Sequence, residues 1–350
     1  MDVVLEVFDT FLFDYLYAYA VPVPQQASLV SSQIADGLNK TASAVGNGFV
    51  YRPASQYLNF EPSAYAYMST MARDNVYRQI LSMFFITWVF GVVVYFIFAT
   101  LSYVLIFDKT TVNHPKYLKN QMRLEIIQTL RSLPGIAILT VPFFVTEIRG
   151  HAKMYDTFEE APFKLYNFLQ FPLFFMFTDF FIYWIHRGLH HPLIYKRLHK
   201  PHHKWIMPTP YASHAFHPVD GWAQSLPYHI FPFIFPLQKF AYVALFVAIN
   251  VWTILIHDGE YATNNPVING AACHTMHHLY FNYNYGQFTT LWDRLGNSYR
   301  RPNEELFRRE SKMDKEEWNR QVQEMEALVK EVEGEDDRQY EHEENVKKNL

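Results

Sequence analysis

Residues 80–107 read ILSMFFITWVFGVVVYFIFATLSYVLIF, 28 consecutive positions without a charged side chain. A helix needs about 20 apolar residues to cross the roughly 30 Å hydrocarbon core of a bilayer, so this stretch predicts a membrane span. The rest of the chain has to be compatible with lipid. Half of its 350 residues are hydrophobic, with 31 Phe, 24 Tyr and 7 Trp, and only 18% are charged. That aromatic share is high for a soluble domain.

Two further spans follow. SLPGIAILTVPFFVTEI, residues 132–148, contains Pro134 and Pro142, which membrane helices tolerate where neighbours re-satisfy the backbone. YNFLQFPLFFMFTDFFIYWI, residues 166–185, carries Asp179 and runs directly into His186; an ionisable residue there needs a partner or an aqueous face. The apolar region from Trp222 to Ile256 is long enough to enter and return, with Pro232, Pro236 and residues 237–239 as its turn.

Loop charges orient these spans. Residues 108–123 hold Lys109, Lys116, Lys119 and Arg123 against Asp108 alone, whereas 149–165 balance Arg149, Lys153 and Lys164 with Asp156, Glu159 and Glu160. Positive charge favours the cytosolic side, which puts 108–123, 186–221 and everything after 257 in the cytosol and the first 79 residues in the lumen. The sequon Asn39-Lys40-Thr41 then falls where glycosylation occurs. MDVVLEVFDTFLFDYLYAYAVPVP at the N-terminus is apolar but opens on Asp2 and Glu6 rather than on basic residues, and reads as an amphipathic or interfacial segment, not a secretory signal.

Past Arg301 the composition turns charge-dense, with Leu306, Trp318, Val322, Met325 and Val329 at helical spacing. A solvated surface helix is expected. The chain ends KKNL, which resembles the dilysine signal that returns membrane proteins to the endoplasmic reticulum. The single cysteine, Cys273, excludes an internal disulfide framework. A net charge of -4, with Lys and Arg scattered, speaks against nucleic acid as a partner.

The histidines carry the chemistry. Of 16, eight fall in three clusters: His186 and His190 in HRGLH, His199, His202 and His203 in HKPHH, and His274, His277 and His278 in HTMHH. Residues three and four apart share a helix face, so each cluster aims its imidazoles one way. One buried histidine is ordinarily a satisfied core residue; eight at ligand spacing point to metal, because imidazolium groups would repel and neutral imidazole is the commonest metal ligand. Eight nitrogens exceed one ion's needs and suit two. Pro201 predicts a helix beginning near it, with His199 on the preceding turn. His257, in HDGEY, is a further candidate, and His214 and His217 read more readily as structural. Zinc would suit hydrolysis or transport and iron the activation of O2; the residues themselves leave that open.

The order HxxxH, HxxHH, HxxHH between spans resembles the membrane-bound fatty acid hydroxylase and sterol desaturase superfamily. The words HRGLHHPLIYKRLHKPHHKW, PTPYASHAFHPVDGW, HDGEY and HTMHHLYFNYNYGQFTTLWDRLGNSYR are similar to the sterol C-5 desaturases within it, those of fungi above all. The resemblance covers residues from about 75 to 302. It implies an endoplasmic-reticulum oxidase with two iron ions that uses O2, and electrons from NAD(P)H through cytochrome b5 and its reductase, to introduce the C5–C6 double bond into Δ7-sterols. Carried over by position, His186, His190, His199, His202, His203, His274, His277 and His278 are the implied ligands, with His257 added. No fused cytochrome b5 domain is recognisable. Tyr183, Trp184, Trp205 and Trp222 are candidate pocket aromatics or interfacial anchors.

The expected fold is therefore all-α and polytopic: about three spans plus a helical hairpin, with a cytosolic helical cap holding a histidine-rich di-metal site. Residues 1–79 form the N-terminal segment, 80–302 the membrane-embedded catalytic domain and 303–350 a charged tail. The competing readings are a C-4 methyl sterol oxidase or other lipid hydroxylase of the same superfamily, a metal transporter with histidine-rich loops, and a sterol-binding protein without catalysis.

Overall fold

A computed structural model describes residues 1–24, 47–312 and 314–342; Asn39 and the KKNL end lie outside the described residues. Helices dominate, and the two-residue strands Met154–Tyr155 and Leu237–Gln238 pair in parallel. Three helices are long and apolar enough to cross a membrane.

The first span is Val76–Leu105. The second is Gln121–Thr146, continued by a π turn at Glu147–His151, and begins well before the apolar run that announced it. Gln121 and Glu125 in its first turns are buried rather than solvated. The Gln121 amide donates to Glu125 at 2.8 Å and to the Met207 carbonyl at 2.7 Å, and Glu125 accepts the Thr209 amide at 3.2 Å and its hydroxyl. Polar residues that hydropathy assigns to a loop are thus satisfied inside the protein. Pro134 and Pro142 sit within this helix without ending it. A Cβ on Gly135 would come within 2.7 Å of Pro218, so the glycine lets two helices approach closely.

The third span, Tyr166–Leu189, extends beyond the expected end and takes His186 into regular helix. The hairpin consists of Pro218–Ile234 and Lys239–Leu255, turning where Pro236 and Leu237–Gln238 interrupt it. At 1.5 Å per residue each arm is about 26 Å long, a little less than the hydrocarbon thickness.

Two compact units are distinguished. The first comprises Met1–Phe90, Ala137–Gln170 and Pro232–Ala244. In it the N-terminal segment is helical from Asp2 to Ala20 through a π turn at Asp9–Phe13. The amphipathic expectation holds with an inverted arrangement. Phe8, Phe11, Leu12, Tyr15, Leu16 and Tyr19 face outward, whereas Glu6, Asp9 and Asp14 are buried. Arg78 reaches Asp9 and Asp14 at 2.6 Å each, and Arg73 donates to Asp14 at 3.0 Å. Met1, Val3, Leu5 and Phe13 are buried beside these paired charges.

The second unit comprises Gly91–Ile136, Phe171–Phe231 and Leu245–Leu350, and it contains every clustered histidine. Here the tail departs from the surface helix expected of it. Helix Lys315–Val332 buries Gln321, Met325 and Val329. Met325 and Val329 join Tyr195, Ile206, Met276, Leu279, Tyr280, Phe281 and Leu306 in one core cluster. The apolar stripe seen in the sequence belongs to the core that backs the last histidine cluster, and only the opposite face is solvated.

Candidate metal centre

Helix Ala271–Tyr280 places His274, His277 and His278 on successive turns, and all ten positions except its first are buried. His186 and His190 lie one turn apart at the end of the third span. The HKPHH cluster folds as the sequence predicts: Pro201 occupies the first turn of a four-residue helix, Lys200–His203, and His199 caps the turn before it. His257 follows the hairpin's second arm.

These elements converge into two groups. His186, His190, His199, His203 and His277 form one, and His202, His257, His274 and His278 the other; within each, one ligand atom per residue lies within 4.8 Å of the rest, and all are buried. All nine histidines singled out in the sequence, the less obvious His257 included, are therefore brought together. His214 and His217 belong to neither group. His214 bridges the Ser213 hydroxyl at 3.0 Å and Asn250 at 3.1 Å, and His217 accepts the Val219 amide at 3.2 Å.

For four of the rings the surroundings put the proton on Nδ1. A backbone carbonyl can only accept, so a ring nitrogen bonded to one must be N–H. Tyr285 O contacts His186 Nδ1 at 2.9 Å, Tyr283 O contacts His277 Nδ1 at 2.6 Å, and Thr253 O contacts His257 Nδ1 at 2.6 Å. The buried Asp220 carboxylate accepts from His199 Nδ1 at 2.8 Å. With Nδ1 carrying the proton, Nε2 of a neutral ring is the free lone pair.

The Nε2 atoms face one another. His186 Nε2 lies 3.1 Å from His199 Nε2. His203 and His277 approach at 3.0 Å through Nε2, His257 and His274 at 2.9 Å, His274 and His278 at 3.2 Å, and His202 and His257 at 3.4 Å. Nitrogens about 2.1 Å from one ion and at right angles to each other are about 3 Å apart. Both ring nitrogens of His190 are buried without a hydrogen-bond partner, a costly condition unless something else occupies the lone pair. Burial, reinforced by neighbouring imidazoles, holds His190, His202, His203, His274, His277 and His278 well below the ordinary histidine range, and burial takes His257 down to about 3. Buried, convergent and held toward the neutral form, these residues fit a pair of transition-metal ions.

The residues that orient the ligands were not legible. Tyr283 and Tyr285 act through main-chain carbonyls, which carry no side-chain signature, and the loop presenting them is held by two carboxylates. Asp179 accepts the Gln287, Phe288 and Thr289 amides and the Thr289 hydroxyl, which answers its need for partners in the third span. Asp293 accepts the Tyr285 and Gly286 amides at 2.8 Å and the Ser298 hydroxyl at 2.8 Å. Asp220 carried a faint signal as an acidic residue in the first turn of an expected helix. Among the aromatics proposed for a pocket, Tyr183 and Trp205 are fully buried and Trp184 is exposed. The Tyr183 hydroxyl bonds Ser298 and Arg187, so it braces the same loop.

The Fatty acid hydroxylase family model matches residues 171–298, the stretch that holds all nine histidines. Together with three membrane-length helices it defines the class, a membrane-embedded, histidine-rich oxidoreductase. The Delta(7)-sterol 5(6)-desaturase erg3A of Aspergillus fumigatus is 64% identical over 352 residues, covering 100% of both chains. The probable Delta(7)-sterol 5(6)-desaturase of Neurospora crassa is 64% identical over 99% of each, and ERG3 of Saccharomyces cerevisiae 47% identical over 100% of each. This chain belongs to the Delta(7)-sterol 5(6)-desaturase family. No solved structure matches it.

Proposed function

We propose that this protein introduces the C5–C6 double bond into Δ7-sterols of ergosterol-type biosynthesis, and that its nine convergent histidines hold two iron ions. The reaction balances as Δ7-sterol + O2 + 2 H⁺ + 2 electrons giving the Δ5,7-sterol + 2 H2O. One observation carries the metal reading: the ring nitrogens of nine buried histidines converge in two groups, with Nε2 atoms of neighbouring rings about 3 Å apart.

His186, His190, His199, His203 and His277 would hold one ion, and His202, His257, His274 and His278 the other. Bound iron supplies the one-electron and O2 chemistry that side chains lack. The chain's own residues do the rest. Tyr283 O, Tyr285 O, Thr253 O and Asp220 keep each Nδ1 protonated so that Nε2 stays free as a donor. Buried neighbours exclude water, which protects reactive species from side reactions. The substrate's C6 hydrogens are allylic to the Δ7 bond and correspondingly weak, so no strong protein acid or base is needed.

The sterol, apolar except for its 3-hydroxyl, enters from the bilayer. Electrons come from NAD(P)H through a separate cytochrome b5 and its reductase, and the centre faces the cytosol from the endoplasmic-reticulum membrane with residues 1–79 on the lumenal side. In this arrangement 80–302 form the catalytic membrane domain, and 303–350 a cytosolic tail ending in a retrieval signal.

The deciding experiment is anaerobic purification with metal analysis, followed by Δ7-sterol turnover with cytochrome b5. Two irons per chain and a 5,7-diene product are expected. Accumulation of 4,4-dimethyl sterols in cells lacking the protein would instead assign it to C-4 demethylation.

A further inference from the structure

The helix Lys200–His203 supplies one ligand to each histidine group, His203 to the first and His202 to the second. Four residues close a single turn, and one turn has no stability of its own, because nucleation fixes several dihedrals for one hydrogen bond. Its last carbonyls also lack intrahelical partners. Ligands carried on such an element stay in place only if something outside it does the holding.

That something lies in the tail. Arg338 Nη2 donates to the His203 carbonyl at 3.0 Å across 135 residues of sequence, and its Nε donates to the Lys204 carbonyl at 3.3 Å. The other face of the guanidinium is clamped by Glu333, Nη1 to Oε2 and Nη2 to Oε1 at 2.8 Å each. Both side chains are almost fully buried. Glu333 in turn accepts the Tyr195 hydroxyl at 2.9 Å and pairs with Lys200 at 3.2 Å. The strand-like tail beyond is tied down by Lys119 N to Gln339 O at 3.0 Å and Glu341 N to Tyr117 O at 2.9 Å.

We propose that Arg338, held by Glu333, is the C-terminal cap of the HKPHH helix and a positioning residue of the metal centre. The tail is part of the site it was expected merely to follow. A planar fork with five fixed donors can bridge two carbonyls and a carboxylate at once, which an ammonium cannot. A cation at a helix C-terminus also meets the favourable end of the helix dipole. The inference rests on the metal reading above and adds a distant residue to it.

The test uses purified full-length protein titrated anaerobically with Fe²⁺ and, for its visible spectrum, with Co²⁺. Arg338→Met alone leaves Glu333 buried without its partner, so it is paired with Glu333→Gln, and Arg338→Lys is made beside it. Affinity for both ions is expected to fall about tenfold or more in the double variant, with a shifted Co²⁺ spectrum while the helical signal persists. Arg338→Lys should fall between it and the parent. A folded double variant whose affinities and Co²⁺ spectrum match the parent overturns the proposal, as does Arg338→Lys behaving like the double variant only through loss of helical signal. If the parent protein binds both ions but leaves Δ7-sterols unchanged, the functional reading fails and this inference stands.

Discussion

Among the described residues Asp220 is the only side-chain carboxylate bonded to one of the nine histidines, and replacing it isolates what such a partner contributes. Asp220→Asn offers an amide in place of the charged acceptor of His199 Nδ1, and metal affinity should drop roughly 10- to 100-fold by analogy with other outer-shell partners, measured by metal content after dialysis against a chelator. Two further substitutions separate ligands from bystanders. His257→Ala should lose metal, whereas His214→Ala, removing a ring bonded to Ser213 and Asn250, should retain it. His114 belongs to neither histidine group and meets Trp318 of the tail helix edge-on at 5.3 Å, and burial pushes it down to about 3. Its neutral form is the one the fold accepts, so stability is whole above the unfolded value near 6.5 and is lost as pH falls from there toward 3, by roughly a few kcal/mol at most. A melting series in that window should show the decline, and His114→Phe should lessen it by that residue's share, the buried histidines of the two groups supplying the rest. At this scale the ligands were legible because imidazole at three- and four-residue spacing is itself the chemistry. Carbonyls of Tyr283 and Tyr285 were not, since every residue has one.

Among elements, the loop after Tyr280 matters most for the centre. Phe281 and Asn284 take positive φ values of 56° and 57°, conformations uncommon outside glycine, and a Cβ at Gly286 would sit 2.4 Å from the Thr289 carbonyl. Gly286→Ala should therefore cost about 1–3 kcal/mol by overpacking and displace the carbonyl that orients His186; thermal melts and metal content should fall together. The spans were found through hydropathy, but the start of the second was hidden because Gln121 and Glu125 look solvent-bound in a window average. Their partners, Met207 and Thr209, are more than 80 residues away, and no local pattern encodes such pairing. The tail helix was misjudged for the same reason: the stripe of Met325 and Val329 is visible, but the core it completes is not.

For the molecule as a whole, the all-α membrane architecture and the gathering of the eight clustered histidines followed from periodicity and composition, while His257, a further candidate in HDGEY, entered the ligand set through the family resemblance. Which segments brace which ligands depends on long-range packing and came only from the structure. On the proposed function, metal binds the folded chain and scarcely the unfolded one, so stripping it should lower the melting temperature, with stabilisation growing as RT ln(1 + [L]/Kd) when iron is returned. A scan with and without chelator checks this.

Neighbouring histidines do not share a group. His202 and His203 divide between the two, and so do His277 and His278. The helices Lys200–His203 and Ala271–Tyr280, in settling when one ion arrives, have already placed ligands for the other, so occupancy should be nearly all-or-none. A protein carrying a single ion would be the rarest species in a titration, and activity should track the fraction of doubly filled molecules rather than total iron.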